Sequence, residues 1–115
     1  MSEPVHVSSQ PIVGLTSGVS GNMIGNITSL SVNINEIVSY AIQAVFTGAP
    51  IGNIELQGSN DGVNFTLIPE SYAAVTGAGS YLINVELPGY SYVQVVYTFA
   101  SGTGSMTAII NTKRR

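Results

Sequence analysis

One histidine, six acids and six tyrosines carry most of the reactive chemistry in this 115-residue chain. Their spacing argues against catalysis. His6 stands alone near the start, and a nucleophile–base–acid triad needs all its members on a rigid scaffold. Glu3, Glu36, Glu55, Asp61, Glu70 and Glu86 are scattered, with no two close in sequence. Two carboxylates can converge in space for glycoside hydrolysis. Here there is no tryptophan, and no arginine before the last two positions, to orient a sugar. Asn60, Asp61 and Asn64 place oxygens around one turn, but calcium takes roughly six to eight oxygens, several of them charged. Gly77-Ala-Gly79 and Gly102-Thr-Gly104 lack the lysine and following helix of a phosphate cradle. With no cysteine there is no thiolate site and no disulfide framework. The residues therefore predict no catalytic site, no metal, no cofactor and no enzyme.

Charge is the next signal. All three basic residues are the last three, Lys113, Arg114 and Arg115, and only 8% of the chain is charged. An ordinary soluble domain is roughly a quarter charged. So neutral a body either covers its surface with copies of itself or a partner, or presents Ser, Thr, Asn and Gly to water. Counterion release on nucleic acid needs several cations on one face, and residues 1–112 hold none. No apolar run approaches the ~20 residues of a membrane helix. The start, with Glu3, Pro4 and His6, does not read as a secretory signal. Nucleic acid and membrane are thus excluded as expected partners.

The elements that must position these side chains are strands. Residues 1–29 are rich in Ser, Gly and Asn and are expected to form an extended arm, with Pro4 and Pro11 unsuited to a central sheet position. From residue 30 the apolar period is two. Leu30, Val32 and Ile34 alternate with polar residues, as do Tyr40, Ile42, Ala44 and Phe46. A break is expected at 48–52. Ile54 and Leu56 lead into a hairpin at Asp61-Gly62, where glycine supplies positive φ, and Val63, Phe65 and Leu67 return. Tyr81, Ile83, Val85 and Leu87 follow. Residues 90–99 are apolar on both faces and read as a central strand covered on both sides. A turn at 100–104 precedes a last strand, Met106 to Thr112. Seven to eight strands and no helix predict an all-β, antiparallel, jelly-roll-like β-sandwich over 30–112, with the arm before it and a basic tail at 113–115. A closed barrel is the competing architecture.

Two segments carry a resemblance. Residues 40–66, in which a strand runs into Ser59-Asn60-Asp61-Gly62 with the aromatic Phe65 beyond, and residues 92–111, with their Ser101-Gly102-Thr103-Gly104 turn, resemble small bacteriophage virion proteins. They cover under half of the chain. The first hairpin is also similar to that of discoidin-type sandwiches. Phe65 stands where many relatives have Trp, and Gln94 where a basic residue is usual.

The resemblance implies a non-enzymatic component of a phage particle, made in the bacterial host cytoplasm: a capsid decoration or cement protein, or the base of a head fibre. Its partners would be the major capsid protein or another virion protein, and copies of itself, a trimer among them. The alternative is a tail or fibre module that binds host surface glycan. For the first reading, Ile12, Val13, Leu15 and Ile24 are the expected contacts of the arm, and deleting the arm should leave the sandwich folded. For the second, Tyr72 and Tyr90 lie near loops and are the expected exposed stacking pair. Asp61 and Gly62 are assigned to turn structure alone.

Overall fold

The computed structural model describes residues 6–14 and 17–114. They form eight antiparallel strands: β1 (His6–Val13), β2 (Ile27–Thr28), β3 (Val32–Asn33), β4 (Ser39–Ser59), β5 (Thr66–Leu67), β6 (Ala73–Thr76), β7 (Gly79–Glu86) and β8 (Tyr92–Arg114). No helix occurs among the described residues. Two strands dominate. β4 and β8 lie side by side for almost their whole length, from Ser39 opposite Lys113 to Ser59 opposite Tyr92.

This long pair is folded across its middle, which makes a β-sandwich from one continuous ladder. The first sheet has the order β1–β8–β4–β7, using the start of β4 and the end of β8. In the second, β2 and β3 flank the start of β8, while β5 and β6 flank the end of β4. The inner faces of both sheets share one core. Along β4 the buried apolar side chains of the core are Tyr40, Ile42, Ala44, Phe46, Ile54 and Leu56, with no change of parity. In β8 the parity switches, from Val93, Val95 and Tyr97 to Met106, Ala108 and Ile110. The cause is a bulge. Ile51 pairs with Ser101 and Gly52 with Phe99, so Ala100 is an extra residue on β8 and shifts every later side chain to the other face. Tyr97, fully buried, donates its hydroxyl to the Ile51 carbonyl at this point, 3.0 Å away.

The segments 48–52 and 100–104, expected to be a break and a turn, are therefore the fold line of two unbroken strands. Gly48 and Gly102 sit there with φ of 85° and 83°. A Cβ at Gly102 would collide with the Ala49 carbonyl oxygen. Their glycines permit a sharp bend and close backbone approach, the same chemistry that reads as a turn in sequence.

The expected arm needs correction. β1 pairs with β8 from His6 opposite Arg114 to Val13 opposite Ala108. Ile12, Val13, Met23 and Ile27 are at most 4% exposed and belong to the core. The physical reason is the edge of β8: without β1, β2 and β3, its backbone groups and inward side chains would face water. Pro11 is accommodated because β1 is an edge strand. Residues 6–14 and 17–29 are thus part of the sandwich. The expected basic tail is likewise the end of β8 as far as Arg114.

Two further expectations fail locally. Residues 92–99 form a central strand, but only the face of Val93, Val95 and Tyr97 is buried, and Val96 is half-buried. The return after the Asp61 turn shrinks to Thr66–Leu67, leaving Val63 78% and Leu67 44% exposed.

Candidate interaction surface

Nothing in the described residues assembles reactive groups. No cluster of three or more His, Asp or Glu side chains could hold a metal among them. Glu36 and Glu70 occupy exposed turn positions with positive φ. The side chain of His6 lies outside the described set.

Asp61 organises the loop that leads to β5. Its Oδ1 accepts hydrogen bonds from the backbone amides of Val63 and Asn64, each at 2.8 Å, and from the Ser59 hydroxyl. Its Oδ2 accepts from the Asn64 side-chain amide. The Ser59 hydroxyl in turn accepts from the amides of Asp61 and Gly62. The amides of Asn64 and Val63, then the two side chains, hold the Asp61 carboxyl well below the usual carboxylate range. Every oxygen is committed to the turn, and Gly62 takes φ of 76°.

The expected contact residues separate. Ile12 and Val13 are buried against β8 and cannot reach a partner. Leu15 lies outside the described residues. Ile24 is 60% exposed and Tyr72 is 56% exposed. Tyr90 is not a free ring: it lies against the Gly58 backbone and bonds Tyr40 through its hydroxyl at 2.6 Å. Tyr72 and Tyr90 therefore do not form an exposed pair.

Four other exposed apolar side chains share one face. On the outer face of the first sheet, Val7, Val45, Leu82 and Ile109 are exposed. The register sets them in rows. Gln43 is flanked by Leu82 on β7 and Ile109 on β8. One row on, Ala41 is flanked by Asn84 and Asn111. A shallow hollow of about 230 Å³ opens here, lined by Ser9, Ala41, Gln43, Leu82, Ile109 and Asn111. The charges on this face stand in one terminal row, where Ser39 has Lys113 on one side and Glu86 on the other.

The outer face of the second sheet differs. Gln94 donates to Gln57, and Gln57 donates to Glu55, at 2.9 and 3.0 Å. These three side chains form a hydrogen-bonded row, with the exposed Leu67 beside it opposite Gln57. The asymmetry was visible at one position: Leu82 is apolar where its strand alternates polar residues outward. The strand pairing that places Ile109 in the same row was not visible.

No family model and no curated protein sequence matches this chain. Its fold does match solved structures. The SPBc2 prophage-derived protein YomS superposes with a TM-score of 0.59 at 9% identity, over 96% of this chain and 97% of that one. PirA gives 0.55 at 12% identity, over 95% and 94%. The coat protein of Tobacco streak virus gives 0.50 at 6% identity, over 100% and 88%. At these identities the likeness is one of fold: an entire chain of this length forms the same kind of β-sandwich in a prophage-derived protein and in a viral coat protein.

Proposed function

We propose that this chain is a non-enzymatic structural component of a phage virion, serving as a capsid decoration or cement protein or as the base of a head fibre. The observation that carries the reading is the outer face of the first sheet. It exposes Val7, Val45, Leu82 and Ile109 among Ser, Asn and Gln, with charge only at its Lys113–Glu86 end. Such a face gains by being covered, and a protein surface of matching shape is what covers it. The full-length likeness to a prophage-derived sandwich and to a viral coat protein supports the same reading.

Quantitative mass spectrometry of purified particles tests it. Copies in the hundreds per particle place the chain on the head lattice, and a dozen or fewer place it at a vertex or the tail. Absence from particles overturns the proposal.

One observation favours a second reading, a tail or fibre module that binds host glycan: Tyr72 offers an exposed ring beside a loop. A specific hit on a glycan array, lost in Tyr72→Ala, would establish that role instead.

A further inference from the structure

We propose that the outer face of the first sheet binds the same face of a second copy, about a two-fold axis running along β4. This rests on the structural reading above and specifies its partner.

In the terminal row, Lys113 and Glu86 flank Ser39 at one strand's distance on either side. In the Gln43 row, Ile109 and Leu82 flank the centre in the same way. A two-fold axis along β4 exchanges the two flanks. It sets Lys113 of each copy over Glu86 of the other, and Ile109 over Leu82, while Gln43 meets its own equivalent. The face is thus self-complementary in both charge and apolar contact, which is what an isologous interface requires. An axis along β8 would instead place Lys113 over Lys113. The outer face of the second sheet offers no such exchange, because its carboxylate, Glu55, already accepts a hydrogen bond from Gln57 of the same strand.

Size sets the strength. Three strands of about eight residues, spaced ~4.8 Å apart and rising ~3.3 Å per residue, present on the order of 400 Å² in projection. Doubled over two subunits, that is about 800 Å², below the roughly 1,200–2,000 Å² of stable interfaces and in the range of weak, transient ones. The pairing is therefore weak in dilute solution and dominant where copies are crowded together.

Sedimentation of the purified full chain over a wide concentration range tests this, independently of any particle. The wild type should dimerise reversibly. Glu86→Lys and Lys113→Glu should each weaken association roughly tenfold at low salt, and the double exchange should restore it, because reversing both charges re-creates the reciprocal pairs. Since the chain has no cysteine, Gln43→Cys supplies a single thiol at the axis. A short bismaleimide should link it to its equivalent, while Gln94→Cys on the second sheet should stay unlinked. A wild type that remains monomeric at the highest concentration, a double exchange no better than the single ones, or equal linking at both positions would overturn the pairing. Particle copy number would be untouched by that result, so this proposal and the virion role fail separately.

Discussion

The hydroxyls of Tyr40 and Tyr90 lie 2.6 Å apart, although they belong to opposite ends of the long strand pair. Tyr40 is the second residue of β4, while Tyr90 packs on Gly58, next to the last. Along a flat ladder Tyr40 and Gly58 would stand roughly 60 Å apart. Their contact measures how completely the ladder has folded over, and it closes the sandwich at the end away from the fold line. A second link joins the sheets nearby: Tyr81 of β7 donates to the Ser71 carbonyl, and the Ser71 hydroxyl bonds the Leu56 backbone in the second sheet.

Removing one hydroxyl of the closing pair should cost about 1 kcal/mol, the usual net worth of such a bond. Tyr40→Phe and Tyr90→Phe should each lower stability by about that amount. The double variant should cost less than the sum, because the second removal finds no bond left to break. Urea unfolding of the four proteins checks it, and strict additivity would mean that the contact contributes nothing.

Alkali should open the molecule through the same side chains. Burial, reinforced by the bond from Tyr90, pushes the Tyr40 phenol far above its ordinary range. Burial pushes Tyr81 up to about 12, and it raises Tyr90 as well. In the unfolded chain these phenols ionise near pH ~10. Their contribution is therefore whole below pH ~10 and declines above it, because the unfolded state releases protons that the folded state keeps. For Tyr81 the slope approaches about 1.4 kcal/mol per pH unit only well inside the window between pH ~10 and its raised value. Comparing urea midpoints at pH 9 and pH 11.5 should show a marked loss in the wild type and a smaller loss in Tyr81→Phe.

The first 29 residues should be indispensable to folding. Ile12, Val13, Met23 and Ile27 fill the core, and Leu30 donates its amide to the Ile12 carbonyl at 3.1 Å, tying the edge of one sheet to that of the other. Deleting residues 1–29 should leave an unfolded or aggregating chain by circular dichroism. Ile12→Ala should cost about 2–4 kcal/mol. Ile24→Ala, at an exposed site, should stay within about 0.5 kcal/mol.

These outcomes mark where the sequence was legible. Alternation identified the strands and the inward set Tyr40, Ile42, Ala44, Phe46, Ile54 and Leu56, because a half-buried strand writes its burial directly into a period of two. The continuity of β4 and β8 was not legible. Glycine and proline at 48–52 and 102–104 permit a turn and a bend equally, and only the pairing of the two strands decides between them. The bulge at Ala100 was hidden for the same reason. The role of β1 was obscured by composition: an edge strand covered on one side needs few apolar residues, so Ile12 and Val13 looked like isolated members of a polar arm. The apolar face holding Leu82 and Ile109 is a property of register, which no single strand displays.

The fold line should be intolerant at one point above others. Gly102 combines φ of 83° with a Cβ position that collides with the Ala49 carbonyl. Gly102→Ala should destabilise by about 1–3 kcal/mol, the range for a side chain forced into such a conformation. Gly25, with open space around it and ordinary φ, provides the control. Gly25→Ala should be nearly neutral in thermal unfolding.

The most direct test of the virion role is a cryo-electron microscopy map of particles from the cells that make this chain, compared with particles from cells in which its gene is deleted. The account predicts difference density on the particle shaped like this sandwich, with the Leu82–Ile109 face of the first sheet turned against another subunit. A map without that density, with the chain found only free in the lysate, would contradict it.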